Sequence, residues 1–176
     1  MPINLRALAD TVRTSLRALQ KFTSGATPAP GASPRPSART GEFSAHPADF
    51  TGVASISYSP QPDGDPDPGE IVWTWVPYEE DPTRGKDRPV LVIGHNGPYV
   101  LGLMLTSKDH DQDRHGRGDY VDIGIGGWDR QSRPSEAKLG RILQISPDSI
   151  RREGAVLDRA RFELVAEGLR RRHGWK

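Results

Sequence analysis

The sequence predicts a mainly β fold, a small antiparallel barrel with helices packed at its C-terminal end. The first observation is a series of strand-like runs, rich in Val, Ile and Leu, that are separated by Gly, Pro, Asn and Asp. The second is a helical pattern that follows them. Short strands joined by tight turns and followed by helices are typical of such a barrel. The strand-like runs are residues 71–76, 89–93, 99–105, 119–125 and 137–145, and a further short strand fits within 49–59.

The segment Gly69–Ser107 carries most of the predicted sheet. In its first run the odd positions hold Ile, Trp and Trp while the even positions hold Val, Thr and Val, as expected of a strand with two distinct faces. A polar loop, Tyr78–Asp87, then leads to Arg88 at the start of the second run. The third run ends at Thr106. The pattern therefore predicts a β-meander with Arg88 and Thr106 at neighbouring strand ends.

The C-terminal segment is predicted to be helical in two parts. Pro147 suits a helix start, where its missing N–H is tolerated, so 148–152 is expected to form about a turn and a half of helix. Asp158 is the expected N-cap of a longer helix that runs to about Arg172. The apolar positions of that helix share one face and are expected to reach the core. They are Phe162, Val165, Ala166 and Leu169.

The N-terminal part divides into a helix and a linker ahead of the barrel domain. Residues 1–22 have leucines near one face and basic residues elsewhere, which predicts an amphipathic helix. Three interpretations of it stay open: docking on its own domain or a second copy, binding to a partner or membrane surface, and a poorly ordered tail. Residues 23–48 are rich in Pro, Ser, Ala and Gly and are predicted to be a disordered linker. The barrel domain is expected to span 49–176.

Composition indicates an intracellular protein and excludes several kinds of site. The chain has no cysteine, which excludes disulfides and thiolate chemistry. Its apolar runs are far shorter than a membrane helix needs, so we expect no transmembrane segment and a cytoplasmic location. The net charge of +1 hides an acidic block, because residues 41–82 carry nine Asp and Glu residues and no Lys or Arg. A nucleic-acid ligand would therefore depend on a local basic patch.

Three motifs in the meander occur in an order that resembles the PemK/MazF family of toxin endoribonucleases. They are G-E-I-V at 69–72, D-R-P-V-L-V-I at 87–93 and L-T-S at 105–107, and the resemblance extends to the C-terminus. It implies an SH3-like barrel and a homodimer that binds single-stranded RNA across its groove. It also implies a cognate antitoxin protein, with which such toxins can bind DNA. Family members carry a catalytic Arg directly before Pro and a catalytic Thr or Ser at the next strand end, which implies Arg88 and Thr106.

The chemistry of RNA cleavage suits these two side chains. RNA is cleaved when its 2′-hydroxyl attacks the adjacent phosphorus, so the protein has to orient the attack, move protons and neutralise charge. A guanidinium such as that of Arg88 donates two hydrogen bonds to phosphate oxygens and stays charged. The hydroxyl of Thr106 can orient the phosphate or the 2′-oxygen. This chemistry requires neither a metal nor a cofactor.

The general acid or base is not fixed by the sequence. Thr83 stands where some family members carry an acid, and Gly140 precedes Arg141 where many have an acidic residue. Candidates for the acid or base are Glu79, Glu80, Asp87 and His110. Candidates for RNA binding are Lys86, Ser107, Lys108, Arg141 and Trp128, with Trp73 and Trp75 as further stacking surfaces or core residues.

Other interpretations of the same residues stay open. Arg88 could be a surface arginine paired with Asp87 or Glu80, and Thr106 could simply cap a turn. The absence of an acid at Gly140 and the long N-terminal extension favour a catalytically degenerate RNA-binding or protein-interaction module on the same barrel. A gyrase-poisoning relative is a third interpretation. The polar loop 108–118 and the alternating aspartates of 63–67 are expected to be solvated rather than metal sites, and an active-site role is the functional alternative for the loop because it follows Thr106 directly. The run Arg170–Arg172 fits a solvated helix end or an RNA-binding patch.

Overall fold

The computed structural model describes residues 46–61, 63–108 and 118–176. Residues 1–45, which include the predicted N-terminal helix, lie outside the described residues, and so does His110. Seven strands and one α-helix occur in the described part of the chain. They are β1 (Glu70–Pro77), β2 (Gly85–Asn96), β3 (Tyr99–Thr106), β4 (Tyr120–Gly124), β5 (Ser135–Lys138), β6 (Leu143–Ile145), β7 (Ile150–Val156) and α1 (Arg159–His173).

The strands form one antiparallel, curled sheet in the order β4-β5-β3-β2-β1-β7, with β6 paired to β3. Neighbouring strands β1, β2 and β3 follow one another in the chain, so the predicted meander is confirmed. The mainly β fold with a C-terminal helix is confirmed as well. β2 is longer than its apolar run, because it begins at Gly85 and includes Arg88 as its fourth residue.

Strand β3 has three neighbours, and its pairing with one of them, β2, ends before the strand does. On one side β3 pairs first with β6 and from Leu105 onward with β5. On the other side it pairs with β2 only through Met104. Beyond that pair the ends of β2 and β3 separate, and residues 85–89 of β2 pair only with β1 among the described strands. We call this separation the fork.

Two hydrophobic clusters lie on opposite faces of the central strands. Successive side chains of a strand point to opposite faces, and accordingly Ile71 and Leu91 belong to one cluster while Val72 and Val90 belong to the other. Helix α1 covers the larger cluster with the predicted stripe, and its Phe162 is 1% exposed. Asp158 caps the helix as predicted, since its side chain accepts a hydrogen bond from the Arg161 N–H. The helix ends at Gly174 in the left-handed conformation.

Three sequence predictions were wrong in this part of the chain. Pro147 starts only a short 3-10 turn, Pro147–Ser149, and the residues expected to continue as a helix form β7 instead. Strand β7 is stabilised by its pairing with β1, along the side of β1 that β2 does not occupy. No local sequence pattern indicates this pairing. The expected strand 137–145 is two strands, because a turn at 139–140 separates β5 from β6. Residues 49–59 form no strand of the sheet.

Residues 46–60, which we call the strap, lie against the domain ahead of β1. The backbone N–H of Phe50 donates to the Ile142 carbonyl at 2.8 Å, and that of Ile56 donates to Lys176 at 3.1 Å. Ile56 is buried in the larger cluster. The last three residues of the predicted linker belong to the strap, since the Gln144 side chain donates to the Ala48 carbonyl. The folded domain therefore includes residues before position 49.

Candidate active site

A cleft of about 440 Å³ opens at the fork. One wall comes from β1 and the unpaired side of β2, another from the end of β3, and the third from the segment that leads into β5. The cleft thus forms where β3 leaves β2. It is lined by Trp73, Lys86, Asp87, Arg88, Pro89, Leu105, Thr106, Ser107, Lys108, Asp129, Arg133 and Ser135.

The geometry brings Arg88 and Thr106 to the same cleft. Val90 pairs with Met104, and Arg88 and Thr106 each lie two residues beyond this last pair, so their side chains leave the two strands on the same face as that pair. Arg88 is half-buried and has no ion pair or hydrogen bond from its side chain to any other described residue. The pairing with Asp87 or Glu80 that the sequence left open is not formed. The guanidinium is therefore available to a ligand.

The hydroxyl of Thr106 accepts one hydrogen bond within the protein and keeps its own proton to donate. Its Oγ1 accepts a hydrogen bond from the Lys108 backbone N–H at 3.1 Å. A hydroxyl can accept and donate at once, so the O–H of Thr106 can donate to an oxygen in the cleft. Ser107 and Lys108 are exposed on the same rim, and Lys86 is exposed on the opposite strand.

Asp87 lines the cleft, and its carboxylate is hydrogen-bonded to an arginine that lies outside the cleft lining. Its Oδ2 accepts a hydrogen bond from Arg151 Nη1 at 2.7 Å. Arg151 belongs to β7, so the ion pair extends across β1 to β2. The other oxygen, Oδ1, is buried and has no hydrogen-bond partner in the described part of the chain.

A second charged pair, Asp129–Arg133, lines the cleft and was not identified from the sequence. Asp129 Oδ2 accepts from Arg133 Nε at 2.7 Å, and Oδ1 accepts from the Gln131 backbone N–H at 2.9 Å. The Arg133 hydrogen bond, followed by that from Gln131, lowers the pKa of the Asp129 carboxyl. The side chain of Arg133 is 54% exposed, which leaves part of its guanidinium for a ligand. The only sequence signal was a polar turn between two strands.

Two of the three tryptophans considered for base stacking, Trp73 and Trp128, differ in accessibility. Trp73 is half-buried and lines the cleft. Trp128 is 3% exposed, packs in the larger cluster and donates its indole N–H to Ser135 Oγ at 3.0 Å. The RNA-binding role predicted for Trp128 thus has no support from its position. Its neighbour Asp129 reaches the cleft instead.

Several residues singled out from the sequence lie away from the cleft. Glu79 pairs with Lys138, and Glu80 is exposed in the loop between β1 and β2. Arg141 is engaged with Asp49 of the strap and with the Pro77 carbonyl, so it fastens the strap. Gly140 is in an exposed turn where an added Cβ would lie 3.2 Å from Arg172 Nη2. An acid at position 140 would therefore face Arg172, and its absence does not alter the cleft.

The arginines at the end of α1 are each paired with an acid. Arg170 pairs with Glu163, and Arg171 pairs with Glu167 on the same helix. Arg172 pairs with Asp119, which precedes β4. This arrangement favours the solvated helix end over an RNA-binding patch.

The part of the chain that the structure describes contains neither a helix that could span a membrane nor a cluster of metal ligands. None of the helices found there has both the length and the apolar character needed to cross a membrane. Within 46–61, 63–108 and 118–176, no group of three or more His, Asp or Glu side chains is placed to bind a metal ion.

Both the sequence and the fold of the chain are similar to those of known proteins. A family model described as the PemK-like, MazF-like toxin of type II toxin-antitoxin system matches residues 67–172, more than half of the chain. Among solved structures, the chain is similar to the Mycobacterium tuberculosis toxin MazF-mt6, with 13% identity, a TM-score of 0.42 and coverage of 60% of this chain and 98% of that chain. A similarity at that level carries no argument about the site. The comparison with curated proteins found no match.

Proposed function

Because the chain belongs to the PemK-like, MazF-like toxins of type II toxin-antitoxin systems, a family known as endoribonucleases, we propose that it cleaves single-stranded RNA without a metal ion. The observation that carries the proposal is the fork cleft, which combines the guanidinium of Arg88, paired with no described residue, with the hydroxyl of Thr106. The reaction is an attack of the 2′-hydroxyl on the adjacent phosphorus.

Arg88 has the chemistry to stabilise the transition state. The attack concentrates negative charge on the non-bridging phosphate oxygens, and a guanidinium can donate two parallel hydrogen bonds to them. In the free protein Arg88 forms no ion pair with a described carboxylate, so binding of a phosphate breaks no such pair. This preorganised donor serves the phosphate at which cleavage occurs.

The remaining groups of the cleft suit binding and orientation of the same phosphate. The Thr106 O–H can donate to a phosphate oxygen or to the attacking 2′-oxygen, since its acceptor side is held by Lys108. The cations Lys86, Lys108 and Arg133 surround the cleft and favour a polyanion. Trp73 offers an aromatic surface beside them for an unpaired base.

The partners follow from the family. A type II system supplies an antitoxin protein, which we propose covers the fork cleft and thereby blocks RNA. We also propose that the toxin acts as a homodimer in the cytoplasm, where messenger RNA is available. The RNA then binds across a groove to which both copies contribute.

The test is cleavage of single-stranded RNA in excess EDTA, with the products identified by mass spectrometry. We expect fragments ending in a 2′,3′-cyclic phosphate and fragments beginning with a 5′-hydroxyl, because the substrate provides the nucleophile. An Arg88→Ala preparation, purified in parallel, controls for contaminating ribonucleases. A strict requirement for magnesium or products with 5′-phosphates would indicate metal-assisted hydrolysis instead. Binding of RNA in the cleft without cleavage would favour the binding module.

A further inference from the structure

The turn ahead of β5, residues 126–134, is organised around Asp129. The carboxylate of Asp129 accepts hydrogen bonds from Arg133 Nε at 2.7 Å and from the Gln131 N–H at 2.9 Å. Its backbone carbonyl accepts from the Ser132 N–H at 3.0 Å. Ser132 has a φ of 53°, in the left-handed region that residues other than glycine adopt rarely. These bonds hold the turn in one conformation and fix where Arg133 leaves it.

Arg133 lines the fork cleft and keeps most of its donors for a ligand. Asp129 is bonded through Nε, and the two Nη groups form no ion pair or hydrogen bond with any other described residue. The side chain of Arg133 is 54% exposed, so a ligand in the cleft can reach it, whereas that of Asp129 is 11% exposed. A guanidinium donates in a planar fork that matches two oxygens of a phosphate.

The side chains of the cleft suit a phosphate better than the edge of a base. Both carboxylates of the lining are engaged, since Asp129 uses its two oxygens within the turn and Asp87 uses Oδ2 for Arg151, with Oδ1 buried. Neither therefore offers a free oxygen to the N–H groups of a base. The lining also contains four cationic side chains, Lys86, Arg88, Lys108 and Arg133. Such a set of donors attracts phosphate oxygens.

We propose that Arg133 binds the RNA phosphate next to the one at which cleavage occurs, and that Asp129 is the residue that positions it. The inference rests on the proposed function, which assigns Arg88 to the phosphate that is cleaved. The two arginines come from different walls of the cleft, Arg88 from β2 and Arg133 from the turn ahead of β5. A volume of about 440 Å³ has room for more than one phosphate group. A second backbone contact sets the register of the strand on Arg88 without reading its sequence.

Asp129 has two opposite effects on such a contact, and they can be separated. Its negative charge weakens the attraction of the cleft for a polyanion. Its hydrogen bond to Nε, however, restricts the long Arg133 side chain before RNA arrives, so that less side-chain entropy is lost on binding. The lowered pKa of Asp129 keeps its carboxylate charged at neutral pH. Removal of that charge should therefore strengthen RNA binding if charge alone matters, and weaken it if Asp129 positions Arg133.

The experiment measures the Kd of the full-length chain for a single-stranded RNA over a series of salt concentrations. The RNA carries a 2′-deoxy nucleotide at its mapped cleavage site, so that it binds without being cut. Arg133→Gln should raise the Kd about tenfold at low salt, the effect of losing a hydrogen bond to a charged group. It should also reduce the slope of log K against log salt concentration by about 0.7, the share of one phosphate contact on a single strand. The single-turnover rate at saturating protein should change less than the Kd.

The matched control is Arg130→Gln. Arg130 belongs to the same turn and is exposed, but it lies outside the cleft lining. This variant loses the same charge, and its Kd and salt slope should stay close to the parental values. An equal loss in both variants would overturn the inference, because the charge of the turn would then act without a specific contact.

RNAs with one uncharged methylphosphonate linkage identify the phosphate that Arg133 contacts. A linkage neutralised directly beside the cleavage site should weaken binding to the parental protein but not weaken binding to Arg133→Gln any further. Neutral linkages elsewhere should weaken both proteins equally. Coupling of Arg133 to the cleaved linkage itself would overturn the assignment to a neighbouring phosphate.

Variants of Asp129 test its positioning role. Asp129→Asn should raise the Kd, though less than Arg133→Gln, and the double variant should bind no more weakly than Arg133→Gln alone. Asp129→Glu, which keeps a carboxylate, should retain more affinity than Asp129→Asn. Melting temperatures confirm that each variant is folded. Tighter binding by Asp129→Asn would overturn the positioning role.

The outcomes distinguish this inference from the proposed function. A parental protein that cleaves RNA while Arg133→Gln keeps the parental Kd and salt slope overturns the role of Arg133 and leaves the endoribonuclease standing. A loss that depends on the RNA sequence, with an unchanged salt slope, also overturns it, since it indicates a contact with a base. A parental protein that binds RNA without cutting it overturns the proposed function, whereas a reduced salt slope in Arg133→Gln would still support the phosphate contact. A parental protein that binds no RNA overturns both.

Discussion

Replacing Arg88 with lysine tests whether the geometry of the guanidinium or merely its charge is used. Lysine keeps the positive charge but has a single ammonium, which cannot form two parallel hydrogen bonds to one phosphate. Because the Arg88 side chain has no partner among the described residues, the substitution breaks no observed ion pair, and the melting temperature should change little. The whole effect should therefore fall on catalysis.

The expected loss is large. Loss of one preorganised transition-state donor costs about 10²–10³-fold in rate, or roughly 3–4 kcal/mol, so Arg88→Lys should be nearly as slow as Arg88→Ala. The assay is single-turnover cleavage with saturating protein, which reports the chemical step. Arg84→Lys is the matched control, because Arg84 is exposed in the preceding loop, outside the cleft lining, with its guanidinium 5.9 Å from the Tyr78 ring centre. An Arg88→Lys variant that cuts RNA near the parental rate would refute the assigned role.

Three further predictions concern the cleft, the domain boundary and the response to pH. Thr106→Ala should slow cleavage while Thr106→Ser stays close to the parental rate, because the hydroxyl is the group used; equal rates for Ala and Ser would contradict this. A chain of residues 46–176 should melt at the parental temperature, whereas one starting at Phe50 should melt lower, since it lacks the Asp49–Arg141 ion pair and the Ala48 carbonyl; calorimetry decides. Asp129 has a lowered pKa in the folded state, so its stabilising contribution is present above its unfolded pKa of about 3.8 and is lost as pH falls through the lower folded value. The melting-temperature difference between the parent and Asp129→Asn should therefore be present at neutral pH and shrink on strong acidification, and a difference independent of pH would contradict this.

Local patterns were sufficient to predict the elements in which apolar side chains recur with the period of a strand or of a helix. The alternation before Pro77 gave β1, and the spacing of Phe162 and its apolar neighbours gave the buried face of α1. β7 was missed because its pairing partner, β1, lies about eighty residues earlier in the chain and nothing local reports that contact. Long-range pairing commonly overrides local propensity in this way.

The part of the candidate site that the sequence predicted comes from β2 and from the end of β3, two strands of the meander. Arg88 and Thr106 were placed at neighbouring ends by the meander, and the structure brings both to the cleft. Asp129 and Arg133 were missed because they lie in the segment that leads into β5, and only the long-range pairing of β5 with the end of β3 brings that segment to the cleft. Asp87 was one of several open acids, and only its contact with Arg151 shows which of its oxygens is occupied.

The fork has a consequence for when the site can exist during synthesis of the chain. Its walls come from residues 73, 86–89, 105–108 and 129–135, so a nascent chain lacks a complete cleft until β5 has emerged from the ribosome. The ion pair that holds Asp87 requires Arg151, and the packing of the sheet requires α1, both later still. Domains fold as units during synthesis once their elements are available. Fragments released before β7 are therefore expected to lack the assembled site, so that the proposed nuclease activity would begin only with a nearly complete chain.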